Sequence, residues 1–408
     1  MSSGSGSPVR ARSFLLLGPA FVAAIAYVDP GNVAANLSAG STYGYLLVWV
    51  IVVANVVAAV LQYQSAKLGL VTGSSLPELL GDRMRPGPRR AFWVQAEVVA
   101  AATDLAEVIG GAIALNLLFG LPLLLGGVIV GVVSMVLLVA QSRFGQRPFE
   151  IVIIGLLAII AIGFLFALAL RPLDGPAIVG GLVPRFEGSG SVVLAASILG
   201  ATVMPHAIYA HSALARDRHG GPTDAARTSL LLRATRWDVG IALGIAGIVN
   251  LGILLLAAVD LRHPGAGDTI TAAYGTIGRD LGPVVAVVFA IGLLASGLAS
   301  TSVGSYAGAT ILSGLLRRRI PILLRRLVTL VPALVVLGLG AQPTSALVIS
   351  QVVLSFGIPF ALVPLFSLTS DVSVMGNFAN TRPMRFLLLA VVFVVVALNV
   401  TLVTLALA

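Results

Sequence analysis

A polar interruption near the start of the sequence is the first place where chemistry could occur. Asp29, Pro30, Gly31 and Asn32 stand together inside an apolar stretch. Because proline has no N–H, Pro30 should leave the carbonyl of Ala26 without its helical partner, and Gly31 lowers the cost of unwinding. A carboxylate, a side-chain amide and a free carbonyl are then expected together, which is a set of oxygen donors suited to a cation.

A second interruption has the same design but adds sulfur. Pro205 should free the carbonyl of Ala201, and Met204 places a thioether directly before the proline. Oxygen donors alone suit magnesium or calcium and thiolates suit zinc or copper, whereas a carboxylate with a thioether favours manganese and ferrous iron. The sequence contains no cysteine, which excludes thiolate ligands. His206 follows the break as a candidate proton relay, with a hydrogen-bonded structural histidine as the alternative.

Three acids in a later apolar stretch form a second group of candidates. At 100° per residue, Glu97, Asp104 and Glu107 fall on one helix face. Each acid facing lipid would cost about 3 kcal/mol, so this face should line the interior, where carboxylates can pass protons. The alternative is static pairing with arginines of the cytoplasmic side: Arg218, Arg325 and Arg326.

The composition indicates what must position these groups. Of 408 residues, 58% are hydrophobic and 10% are charged, against roughly a quarter charged in soluble domains, so a water-soluble fold is excluded. A helix needs about 20 apolar residues to cross a bilayer. Apolar runs predict eleven membrane-spanning helices that start near Phe14, Tyr45, Phe92, Leu123, Glu150, Val192, Ser229, Leu281, Ile320, Thr344 and Phe386.

The basic residues predict the orientation of these helices. If the N-terminus is cytoplasmic, four of the 25 basic residues fall outside, namely Arg171, Arg185, Arg262 and Arg279. The excess of positive charge on the inner side therefore favours a cytoplasmic N-terminus and an extracellular C-terminus. We expect a multi-pass protein of a bacterial plasma membrane. The net charge of +9 is spread over short loops and does not predict nucleic-acid binding.

The two interruptions fall in the first and sixth predicted helices, which would cross the membrane in opposite directions. This spacing predicts an inverted repeat of five helices plus five, followed by one additional helix. The expected organisation is a disordered cytoplasmic tail over 1–12, a first repeat over 13–171 and an extracellular loop over 172–190. The second repeat follows over 191–367, and a cytoplasmic loop with the eleventh helix occupies 368–408.

These motifs resemble the Nramp (MntH) family of metal transporters. The resemblance rests on Asp29 to Asn32 and on Met204 to His206, the second string continuing to Ser212 as an MPHxxYxHS pattern. It implies a leucine-transporter-like fold that binds metal through Asp29, Asn32 and Met204 and moves protons in the same direction. It also implies that Gln351 joins the metal shell in some conformations, and that the three acids lie on a proton exit path.

The resemblance leaves a magnesium-selective relative and another cation or amino-acid carrier of the same fold as alternatives. Met204 argues against both, because neither has use for a thioether. An intramembrane enzyme is not expected, since the chain lacks an HExxH motif. We expect no cofactor and no obligate protein partner. The expected partners are manganese and iron ions, protons and the lipid bilayer.

Overall fold

The chain folds into helices in the computed structural model. The structure describes residues 19–144, 171–219, 224–262, 270–316 and 321–407, with scattered positions between 155 and 168. Every element assigned within these residues is helical, which confirms the predicted all-α class. The expected tail over 1–12, the predicted helix start near Phe14 and most of the fifth predicted helix, from Glu150, lie outside the described residues.

The helices of the described residues are numbered here in chain order. They are α1 (Pro19–Ile25), α2 (Pro30–Tyr43), α3 (Val48–Thr72), α4 (Leu76–Arg83), α5 (Pro86–Phe119), α6 (Leu123–Phe144), α7 (Gly175–Gly180), α8 (Gly188–Thr202), α9 (Pro205–His219), α10 (Ala225–Asp260), α11 (Ile270–Asp280), α12 (Pro283–Leu316), α13 (Ile322–Gly338), α14 (Pro343–Ser370), α15 (Val372–Met375) and α16 (Arg382–Leu407). Within these residues, seven stretches are long and apolar enough to cross a bilayer, with α8 and α9 counted as one.

Proline and glycine mark many of the helix ends. Pro86, Pro283 and Pro343 each occupy the first residue of a helix, where the missing N–H costs nothing. Gly73 and Gly120 follow α3 and α5 with φ of 68° and 69°, a conformation that glycine adopts without strain. The predicted and observed starts therefore agree to within a few residues for most helices.

The largest difference from the predicted starts is at α5. This helix begins at Pro86 rather than near Phe92, because an additional polar turn continues the helix beyond its apolar part. Arg89 in that turn donates a hydrogen bond of 3.0 Å to the carbonyl of Gly81 in α4. At the other end of the chain, α14 runs to Ser370, beyond the expected end of the second repeat at residue 367.

The helices form two groups with α14 between them. The broken pairs α1–α2 and α8–α9 pack with α3 and α10, while α5 packs with α6, α12 and α13. Helix α14 contacts α8, α2 and α9 in the first group and α5 in the second. Helix α16 lies at the edge of the fold, where it packs on α14 and α8. The two breaks therefore lie inside the protein, next to α14.

Glycines allow these helices to approach one another closely. A Cβ at Gly200 would overlap the carbonyl oxygen of Gln351, so α8 and α14 are in backbone contact. A Cβ at Gly69 would likewise overlap the carbonyl of Ser212, which brings α3 against α9. Small residues at helix contacts are typical of membrane proteins, where dispersion contacts between closely packed helices drive association.

Candidate metal site

The first break presents a buried carboxylate at the start of a helix. Helix α1 ends at Ile25, a 3₁₀ turn covers Ala26–Val28, and Asp29 is the N-cap of α2. Asp29 Oδ1 accepts hydrogen bonds from the backbone N–H of Asn32 at 2.7 Å and from its side-chain amide at 3.0 Å. Asp29 Oδ2 is buried and has no hydrogen-bond partner within the described part of the chain. This oxygen is therefore the atom of the first break that is open to a cation.

Side chains from other helices donate hydrogen bonds to two carbonyls of the first break. The amide nitrogen of Asn250 on α10 donates a hydrogen bond of 2.7 Å to the carbonyl of Tyr27. The hydroxyl of Ser296 on α12 donates a hydrogen bond to the carbonyl of Val28. Asn36 of α2 in turn donates to Asn250 Oδ1 at 3.1 Å. Reasoning from the sequence missed these residues, although each is a polar residue in an apolar helix, which was the available signal.

The second break meets the first through Asn32. Helix α8 ends at Thr202 and α9 begins at Pro205, so Val203 and Met204 connect the two halves. The Asn32 amide donates to the carbonyl of Ala201 at 2.7 Å, which is the carbonyl that Pro205 frees. Thr202 Oγ1 donates to Asn32 Oδ1 at 3.3 Å. Asn32 thus bridges the two breaks.

Three further predicted ligands are buried at the breaks. Met204 is fully buried, three residues after the carbonyl that Asn32 contacts. Gln351 of α14 packs its side-chain amide against Gly31, where a Cβ would overlap the Gln351 Nε2 atom. Gln351 Oε1 is buried and has no hydrogen-bond partner among the residues that the structure describes. Ala26 is buried in the 3₁₀ turn.

The chemistry available here is that of one carboxylate among weaker donors. Within the described residues, no group of three or more His, Cys, Asp or Glu side chains could hold a metal ion. A cation at the breaks would therefore rely on the open oxygens of Asp29 and Gln351, on amide and carbonyl oxygens, and on the thioether. Of the predicted ligands, Asp29, Asn32 and Ala201 are joined by hydrogen bonds, and Gln351 contacts the same helix through Gly31.

The three acids of α5 follow the predicted face, and two of them pair with arginines of α13. Asp104 lies 2.6 Å from Arg326, and Glu97 lies 3.2 Å from Arg325. Glu107 is fully buried and forms no ion pair among the described residues; it lies beside Gly304, where a Cβ would be 3.2 Å from Glu107 Oε1. The pairing that the sequence offered as an alternative is therefore present for Glu97 and Asp104.

His206 and His211 of α9 are buried and hydrogen-bonded. His206 Nδ1 lies 3.2 Å from the Thr103 hydroxyl on α5, one residue before Asp104. His211 Nδ1 lies 2.7 Å from Gln62 Oε1 on α3. The Gln62 amide also donates to the Tyr27 hydroxyl in the first break. Helix α9 is thus linked both to the acidic helix and to the first break. Arg218 lies in the last turn of α9.

Comparison with known proteins agrees with this architecture. The family model described as natural resistance-associated macrophage protein-like (Nramp) matches residues 20–405. A divalent metal cation transporter MntH of Mycobacterium tuberculosis H37Rv is 59% identical over 391 residues, covering 96% of this chain and 91% of the relative. A protein of the same name from Deinococcus radiodurans is 45% identical, covering 97% and 91%.

Solved structures give the same result for the fold. The Eremococcus coleocola manganese transporter, solved with an aromatic bis-isothiourea compound, superposes with a TM-score of 0.87 at 31% identity, over 98% of this chain and 88% of that one. MhsT in complex with L-phenylalanine superposes with a TM-score of 0.60 at 15% identity, over 93% and 98%. At that identity the likeness concerns the fold alone.

The broken helices and these neighbours define a multi-pass helical membrane protein with the leucine-transporter-like fold. Within that class the family is shown by a model match over almost the whole chain and by relatives at 45–59% identity. The chain belongs to the Nramp family.

The contact between Gly31 and Gln351 predicts a measurable coupling. We expect Gly31→Ala to lower the melting temperature of the purified protein, because the added methyl group overlaps the Gln351 amide and overpacking costs about 1–3 kcal/mol. Gln351→Ala in the same background should recover most of this loss. Gly244→Ala is the control, because a Cβ there meets nothing within 4 Å. An equal loss with and without the Gln351 side chain would contradict the assignment.

Proposed function

We propose that the protein imports divalent transition-metal ions, manganese and ferrous iron, together with protons through alternating access. One observation carries the proposal: the Asp29 carboxylate is buried at a helix break with one oxygen lacking a partner in the described residues. A buried carboxylate is costly unless a cation or a proton compensates it. The names of the relatives, divalent metal cation transporters, support a metal ion as that cation.

The proposed ligands differ in how easily they can reach an ion. Asp29 and Gln351 each offer an open oxygen, whereas Asn32 Oδ1 would first have to lose the Thr202 hydroxyl. The carbonyls of Ala26 and Ala201 and the Met204 sulfur complete the proposed set. A mixture of oxygens with one thioether suits manganese and ferrous iron better than calcium or magnesium.

The proposed proton route runs along α5 beside the metal site. Of the three acids on α5, Glu107 is the one that carries no ion pair among the described residues, so it is the candidate first acceptor. Asp104 and Glu97 follow toward the cytoplasmic side, each paired with an arginine of α13. His206 reaches this route through Thr103. Arg218 is assigned to the inner end of the route by its position in α9.

The proposed setting is a bacterial plasma membrane with the N-terminus in the cytoplasm. In this orientation the arginines at the C-terminal end of α9 and on α13 face the inner side. Protons and metal would both move from the outside inward, so the proton gradient could drive uptake. The substrates are the metal ions themselves, and the transport cycle requires no resident cofactor.

Asp29→Asn tests the metal assignment. The variant keeps the shape of the side chain but loses its charge, so manganese uptake into liposomes should fall by about 100-fold, equivalent to ~2.7 kcal/mol of ion binding. Uptake is measured with an inward proton gradient for the wild type, the variant and the control Glu187→Gln, an exposed acid before α8. Wild-type uptake by Asp29→Asn would refute the assignment, and a wild type without uptake would refute the function.

Met204→Ala tests whether the thioether sets selectivity. Without sulfur the site is left with oxygen donors, which calcium and magnesium accept, so manganese uptake should remain within about 10-fold of wild type but become sensitive to calcium. The measurement is manganese uptake in the presence of millimolar calcium. Equal insensitivity in wild type and variant would mean that the shape of the cavity, not the sulfur, excludes hard ions.

Asp104→Asn tests the proton route. The variant can still donate or accept a hydrogen bond opposite Arg326, but it cannot carry a proton, so metal-driven acidification of liposomes should fall while manganese binding persists. Binding is followed by the rise in melting temperature with manganese, which also shows that the variant folds. Asp224→Asn, at the N-cap of α10, is the control. Wild-type proton and metal fluxes in Asp104→Asn would place the route elsewhere.

A further inference from the structure

The eleventh helix of the predicted architecture, α16, carries a buried polar residue within the membrane. Asn399 is 8% exposed, and the residues that flank it in the helix are valine, leucine and alanine. Its amide nitrogen donates a hydrogen bond of 2.9 Å to the carbonyl of Ser355 on α14, and its Oδ1 lies 3.0 Å from the Ser355 hydroxyl. Both ends of the amide are therefore directed at one residue of α14.

The sequence of α14 explains why this carbonyl is available. In a continuous helix, the carbonyl of Ser355 would accept the N–H of the residue four positions later, which here is Pro359. Pro359 has no N–H, so the carbonyl loses its helical partner inside the apolar part of the membrane. An unpaired carbonyl is costly there, and Asn399 supplies the missing donor from a different helix.

The residues around Ser355 connect this contact to the candidate metal site. Gln351 lies one turn earlier on α14 and packs its side chain against Gly31 of the first break. A Cβ at Gly200 of α8 would lie within 2.9 Å of the backbone nitrogen of Ser355. One turn of α14 is thus held between α8, which leads into the second break, and Asn399 on the outer side.

We propose that Asn399 is a positioning residue for metal transport. By pairing the carbonyl that Pro359 frees, it fixes the turn of α14 that carries Gln351 against the first break. Helix α16 then contributes to transport by positioning α14, whereas the sequence alone predicted an additional helix outside the repeat. The inference rests on the proposed function, in which Gln351 belongs to the metal shell.

The alternative is that Asn399 only fills space between α14 and α16, and the two roles predict different couplings. If Asn399 acts through the freed carbonyl, its substitution is harmful only while Pro359 is present. Pro359→Ala restores a backbone N–H four residues after Ser355, so the helix pairs its own carbonyl and the amide becomes redundant. If Asn399 acts through packing, its loss costs the same in either background.

The test is a double-mutant cycle of Asn399→Leu and Pro359→Ala, with manganese uptake into liposomes as the readout. We expect Asn399→Leu to lower uptake at subsaturating manganese by about 10-fold, ~1.4 kcal/mol. In the Pro359→Ala background, the same substitution should change uptake by less than about 3-fold, ~0.7 kcal/mol. Thr401→Val is the control: the Thr401 hydroxyl donates to the Ala397 carbonyl of its own helix, so this variant should behave as wild type.

A melting-temperature cycle of the same four proteins needs no metal and separates this inference from the proposed function. Equal effects of Asn399→Leu in both backgrounds, in uptake or in melting temperature, would overturn the inference. If Asn399→Leu does not fold, folding of the double variant supports it and failure of the double variant overturns it. If the wild type transports no manganese, the proposed function fails, and the melting cycle still decides whether Asn399 serves the Pro359 carbonyl.

Discussion

The pairing of backbone carbonyls inside the membrane is the constraint on which this structure depends. A helix that crosses a bilayer must satisfy its own polar groups, and a proline in the helix leaves one carbonyl without a partner. Here two such carbonyls, those of Ala201 and Ser355, each lie four residues before a proline and each accept from an asparagine amide of another helix. The proline and the remote asparagine therefore act as a pair, at the second break for Ala201 and within the continuous helix α14 for Ser355.

Asn32 shows how this constraint merges with the chemistry of the site. Its amide nitrogen donates to both Asp29 and the Ala201 carbonyl, so the group that satisfies the second break also orients the carboxylate of the first. Its oxygen accepts only the Thr202 hydroxyl among the contacts described, at 3.3 Å. An ion that takes this oxygen competes with one long hydrogen bond, whereas displacing the amide nitrogen would leave a carbonyl unpaired. In the proposed site, Asn32 would therefore bind an ion while it still joins the two breaks.

Local chemistry decided which parts of the site could be predicted from the sequence. Pro205 frees the carbonyl of Ala201 by a relation four residues long, so both the break and the carbonyl were predictable. The hydrogen bond from Asn250 to the carbonyl of Tyr27 joins residues that are 223 positions apart in the sequence. Nothing in the apolar periodicity of α10 specifies that partner. The predicted helices that the structure describes share this limit: hydrophobicity predicted that they exist, but which of them face α14 depends on packing between distant segments.

The partners of the acids on α5 could not be predicted from the sequence either. Three carboxylates on one face of α5 had to be compensated, and the sequence allowed either proton transfer or pairing with arginine. In the fold, Arg325 and Arg326 of α13 pair with Glu97 and Asp104, while Asp29 and Glu107 have no ion pair among the described residues. Acids without an arginine partner in the described residues thus lie at the first break and on α5, whose Gly110 packs against Pro30. In the proposed function, a cation bound at Asp29 and a proton bound at Glu107 would lie close together, so binding of one would change the cost of binding the other.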